Sequence, residues 1–199
     1  MHFRTRTWAL TGVLTLVATI ALLVALPSSA AGGAQHVRWD IIHLNTATTP
    51  PTISAGGHAS ASAPNGGDTI TLTGSGTFVA PANGGGSNAV TGGGTWTSSS
   101  GSGTYDVTSL VSWAPDGPQS SSVAFNDTID DGTRTNGTAV LTVAFSDGTT
   151  GVLTIGCEGP GSPHGIFEGI ATTKGTTTYY IVQMPTAGVD ANRTNFHVR

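Results

Sequence analysis

Asp68-Thr69-Ile70-Thr71-Leu72-Thr73-Gly74-Ser75-Gly76-Thr77-Phe78-Val79-Ala80 decides the fold class, because Ile, Leu, Gly, Phe and Ala hold the even positions from 70 while Thr and Ser hold the odd ones through 77. Alternation with period two puts the two sets on opposite faces of an extended chain, one face buried and the other a threonine surface. The same pattern recurs. Tyr105, Val107, Val111 and Trp113 share a face with Thr104, Asp106, Thr108 and Ser112 opposite, and Ala139, Leu141, Val143 and Phe145 oppose Thr138, Thr142 and Ser146. Asp147-Gly148 then supplies a hairpin turn, since Asp-Gly tolerates the positive φ angles a tight connection needs, and Leu153, Ile155 and Cys157 follow on one face. Further strands are expected over 37–43, 53–61, 89–97, 121–125, 164–172, 177–184 and 194–198, with no sustained helical stripe after residue 31. The expectation is one all-β domain over 31–199, a single antiparallel β-barrel or β-sandwich of about 8–10 short strands.

The chain has 199 residues, with 29 Gly, 10 Pro, 9% charged residues and a formal net charge of −4. That balance excludes a coiled coil, a basic nucleic-acid binder and an acidic disordered tail. Residues 1–30 read as a secretory signal helix: Arg4 and Arg6 form a positive start, residues 8–26 are uncharged and mostly apolar, and Ser28, Ser29, Ala30 and Ala31 offer a small-residue cleavage site. The alternative is a membrane anchor over 8–26 if the segment stays uncleaved. Secretion removes two arginines and no acid, so 5 basic and 11 acidic residues remain from the 7 and 11 of the whole chain, and a polyanionic partner is not expected. Cys157 is the lone cysteine, which leaves no intramolecular disulfide.

Gly74-Ser75-Gly76-Thr77-Phe78, Gly92-Gly93-Gly94-Thr95-Trp96 and Gly101-Ser102-Gly103-Thr104-Tyr105 repeat a Gly-x-Gly-Thr-aromatic motif. Two readings stay open: sheet curvature with a ring laid over each gap, or a cavity lined by Phe78, Trp96 and Tyr105 that takes a ligand. No Gly-x-Ser-x-Gly elbow and no dinucleotide fingerprint is present, and no motif calls for a cofactor. Glu168, His164 and Asp106 are the polar groups a catalytic reading would name. His164 and Glu168 would stand about 13 Å apart along one strand, too far to touch; Glu168 faces either the interior, where burial would raise its pKa, or solvent. Arg38 and Asp40 share a face at about 6.6 Å, a spacing an ion pair closes. Asp127, Asp130 and Asp131 gather oxygens that either hold Ca²⁺ or form an ordinary turn.

Gly165-Ile166-Phe167-Glu168-Gly169 resembles the Gly-x-Phe-x-Gly strand of the allene oxide cyclase and dirigent barrels, and Gly74-Ser75-Gly76-Thr77-Phe78 is similar to dirigent strands. More broadly the threonine-rich strands and glycine-aromatic motifs look like those of secreted actinobacterial β proteins. The narrower resemblance implies an eight-stranded antiparallel barrel around an apolar cavity, and no catalytic residue of either family finds a counterpart here. Three functional classes follow: a non-catalytic extracellular or envelope-associated binding or structural module with a cell-envelope component as partner, a barrel that binds a lipophilic small molecule with a cyclase-like or isomerase-like role, and a hydrolase with an unrecognised site.

Overall fold

A computed structural model describes residues 33–199 apart from Asn65, Asp130 and His164. The expected signal segment therefore lies outside the described residues. In chain order the strands are β1 (Gln35–Asn45), β2 (Thr52–Ala55), β3 (Ala59–Ser62), β4 (Thr69–Leu72), β5 (Ser75–Ala80), β6 (Val90–Ser98), β7 (Gly101–Pro118), β8 (Asn126–Asp127), β9 (Thr133–Phe145), β10 (Thr150–Cys157), β11 (Gly169–Lys174), β12 (Thr177–Tyr179), β13 (Ile181–Val182) and β14 (Thr194–Val198). The domain is all-β, and its heart is a closed antiparallel barrel of six strands, β1-β5-β6-β7-β9-β14 and back to β1.

β7 is the spine of this barrel: 18 residues long, it pairs with β6 on one edge and β9 on the other. At one end β6 and β9 continue into β5-β1-β14, and at the other they continue into β4-β3-β13 and β10-β11-β12. Only Tyr180 separates β12, paired with β11, from β13, paired with β3. The segment 177–182 thus joins the two extensions and covers edges that would otherwise template aggregation.

Side-chain alternation explains what fills the barrel. Trp39, Phe78, Trp113 and Phe196 meet inside it, with Phe78 and Phe196 at 5.6 and 4.6 Å from the Trp113 ring. Further along the spine Trp96 and Tyr105 each lie 6.0 Å from the Phe145 ring, and Leu141, Leu153, Ile155 and Ile170 complete one continuous core. Outside, the threonines pair across strands, as in Thr73 with Thr95 and Thr77 with Thr91, both at 2.7 Å. The Asp147-Gly148 hairpin forms as expected, with Gly148 at φ 85°.

Besides 177–184, which divides at Tyr180 into β12 and β13, four expected strands differ. The run 68–80 breaks at Gly74 into β4 and β5 with different partners, and a Cβ there would lie 2.5 Å from both Gly93 O and the Tyr105 hydroxyl. The 53–61 strand splits at Gly56 and Gly57, the latter pressed against the Ile42 carbonyl. Residues 121–125 are a loop, and only Asn126–Asp127 pair beyond it. The 164–172 strand begins at Gly169, whose φ of 113° ends the irregular approach to it.

Candidate ligand-binding cavity

The site is built on the outer face of the barrel, where sequence alternation alone places solvent. Across β1 and β14, Asp40 stands opposite Asn195 and Arg38 opposite His197, while His197 faces Arg134 on β9. This polar stripe is roofed. The segment after β7 crosses it, held by Gln119 N–H donating to Arg134 O at 2.8 Å and by β8 running parallel to β2. Beneath the roof Asp40 is fully buried and accepts from Arg38 Nε and Nη2, both at 2.8 Å. Burial raises its pKa, opposed by the Arg38 hydrogen bond. His197, also fully buried, meets Asp127 Oδ2 through Nε2 at 2.9 Å.

Where the roof ends, a cavity of about 280 Å³ opens between it and the strand ends. Ile53, Phe125, Met184 and Pro185 give it apolar walls, and Gln119, Glu168, Arg193 and Asn195 supply polar ones. Glu168 stands just before β11 with its carboxylate clamped between two chain segments: Oε2 accepts the Glu158 N–H at 2.6 Å and Oε1 the Thr194 N–H at 2.5 Å. Only 8% of this residue is exposed. Desolvation outweighs both hydrogen bonds and the nearby Arg193 charge, so its pKa is pushed up to about 7. The strand face on which the sequence would set Glu168 does not exist, because no strand reaches it; loop geometry buries it.

Cys157 ends β10 on the same wall. Burial, then the Glu168 charge, drive its thiol pKa well above the ordinary value, and Gln119 Nε2 lies 3.4 Å from the sulfur and 2.9 Å from Asn195 Oδ1. A thiol held neutral in this way is a poor nucleophile. The wall beyond Met184 is pinned as well. Arg193 Nη1 donates to the Val189 and Ala191 carbonyls at 2.6 and 3.1 Å, and Asp190 accepts the Leu44 N–H and meets His43 Nδ1, both at 2.6 Å.

The other expected site residues are placed elsewhere. Phe78, Trp96 and Tyr105 do not line this cavity: each is at most 3% exposed and packed in the core. A six-stranded barrel leaves room inside only for its own side chains. The motif glycines accommodate indoles, since a Cβ on Gly76 would sit 2.9 Å from Trp39 Nε1 and one on Gly103 3.0 Å from Trp96 Nε1. Asp106 is exposed on β7, opposite Gly93 and Ala144, and is not part of the cavity wall. His164 and Asp130 lie outside the described residues. Of the calcium-or-turn candidates, the other two members face basic side chains: Asp127 meets His197 and Arg134, and Asp131 meets Arg199 and Arg38. No group of three or more His, Cys, Asp or Glu suited to a metal ion occurs among the described residues.

Gln119, Arg193, Asn195, Phe125 and Met184 were not legible as site residues. The one signal was that Arg38, Asp40, Asn195 and His197 make short strands polar on the same paired face; the roof that turns this face from solvated to buried comes from a loop without periodicity. The chain matches no protein-family model, no curated protein and no solved structure, and its geometry alone carries the functional reading.

Proposed function

We propose that this chain is a non-catalytic extracellular binding module whose ligand, a small molecule with an apolar body and one polar end, enters the cavity beside Glu168. The observation that carries the reading is the cavity itself: about 280 Å³, near the lower end of the ligand-pocket range, with mostly apolar walls and a few convergent polar groups. Its chemistry favours holding over reacting. The Cys157 thiol stays neutral, and the Thr194 hydroxyl donates to the Gly156 carbonyl at 2.6 Å, with Glu168 Oε1 farther off at 3.4 Å, so its proton is directed at a carbonyl rather than at a base that would activate it. The extracellular assignment rests on the signal-like residues 1–30.

Met184 lines the cavity and is the only methionine besides Met1, so a ¹³C-methyl-methionine spectrum reports on this site almost alone. A panel of small aryl-alkyl probes, neutral, cationic and anionic, is expected to shift the Met184 methyl resonance saturably for at least one member, with no product formed. A resonance unmoved by every member would overturn the reading. Glu168 favours a second, hydrolytic role, since a carboxyl titrating at about 7 suits acid-base work; there Glu168→Gln abolishes turnover of a cleavable substrate while the chain stays folded.

A further inference from the structure

We propose that the cavity beside Glu168 selects an organic cation, an ammonium group on a short apolar body, whose N–H donors meet the Glu168 carboxylate and the Gln119 side-chain oxygen. The inference rests on the binding-module reading and adds the chemical class of the ligand.

The wall offers acceptors, and its Gln119, Thr194 and Arg193 donors already make hydrogen bonds within the chain. Gln119 directs Nε2 to Asn195 and Cys157, which leaves its Oε1 as the free end of the amide. Among the described residues of the wall Arg193 is the only cation, and its guanidinium donates to the backbone carbonyls of Thr186, Val189 and Ala191. Two carboxylates, Glu168 and Glu158, stand on the same wall, so an anionic ligand meets repulsion. An ammonium ion meets a buried carboxylate that carries two backbone N–H bonds and lacks a side-chain counter-ion in contact. Oε2 has a second lone-pair direction left for a donor, while Oε1 also has the Thr194 hydroxyl 3.4 Å away. Desolvated in such a cavity, the charge pair gains strength that it would lack at the surface. The thioether of Met184 and the ring of Phe125 suit the hydrocarbon part. The titratable or charged groups that face Glu168 are the Cys157 thiol, Glu158 and Arg193.

Three probes of one shape decide it: 2-phenylethylammonium, 2-phenylethanol and phenylacetate, titrated against the Met184 methyl resonance at pH 8. The expected order is ammonium at least ten-fold tighter than the alcohol, with phenylacetate weakest. In Glu168→Gln the ammonium and alcohol affinities become equal, and retained binding of the alcohol shows that the variant is folded. A second measurement on the unaltered chain does not depend on that variant: calorimetry near pH 6.5 in two buffers of different ionisation enthalpy is expected to show proton release when the ammonium binds and none when the alcohol binds. Equal affinities of ammonium and alcohol in the unaltered chain would overturn the cation assignment and leave the binding module standing. Silence from all three probes would remove both.

Discussion

Glu168 is a carboxyl whose charge the fold disfavours. Its folded pKa of about 7 against an ordinary 4.5 means that between these values the native chain keeps a proton the unfolded chain has lost. The stabilisation present below about pH 4.5 is therefore lost as pH rises through 7, to the extent of about 3 kcal/mol. Urea denaturation at pH 5 and pH 8 is expected to show the higher midpoint at pH 5, and Glu168→Gln to flatten that difference. Burial raises the Asp40 pKa as well, opposed by its Arg38 hydrogen bond. A midpoint that rises from pH 5 to pH 8 would contradict the buried clamp. Gly76 tests close approach at the same scale. A Cβ there would lie 2.2 Å from the Thr91 carbonyl and 2.9 Å from Trp39 Nε1, both parts of rigid structure, so Gly76→Ala is expected to destabilise by about 2 kcal/mol in the same assay.

Among the elements, β12 and β13 matter beyond their length because they connect the two sheet extensions. Tyr179 anchors this junction, 2% exposed, with its hydroxyl donating to Asp68 Oδ2 at 2.9 Å. Tyr179→Ala is expected to cost about 3–4 kcal/mol by cavity formation, and Tyr179→Phe about 1 kcal/mol by the lost hydrogen bond. Equal losses for the two variants would show that packing is not what holds the junction. The strands β6, β9 and β10 were legible at their places, whereas 68–80 was legible as strand and illegible as two. Its alternation continues through Gly74 without a phase change, yet β4 lies between β3 and β6 while β5 lies between β1 and β6. Periodicity records which way a side chain points and is silent on which strand lies alongside.

For the whole molecule, the pairing of β1 with β14 sets the terms. The barrel closes only when strands near opposite ends of the described chain meet, so loop closure precedes most of the packing gain and folding is expected in milliseconds to seconds or slower. Removing residues 194–199 would open the edges of β1 and β9 and take Phe196 from the ring cluster. Such a chain is expected to lack the cooperative thermal transition expected of 31–199; a transition retained after the truncation would mean the barrel does not depend on closure. From the sequence by itself came the all-β class, the threonine exterior, the Arg38–Asp40 pair and the Asp147-Gly148 hairpin. Each depends on near neighbours along the chain, where backbone geometry dictates side-chain direction. Tertiary structure alone decided the six-strand closure, the filling of the barrel by its own aromatic rings and the burial of Glu168. It also decided the roof over Asp40, Asn195 and His197, because a polar strand face looks the same in sequence whether water or a distant loop covers it.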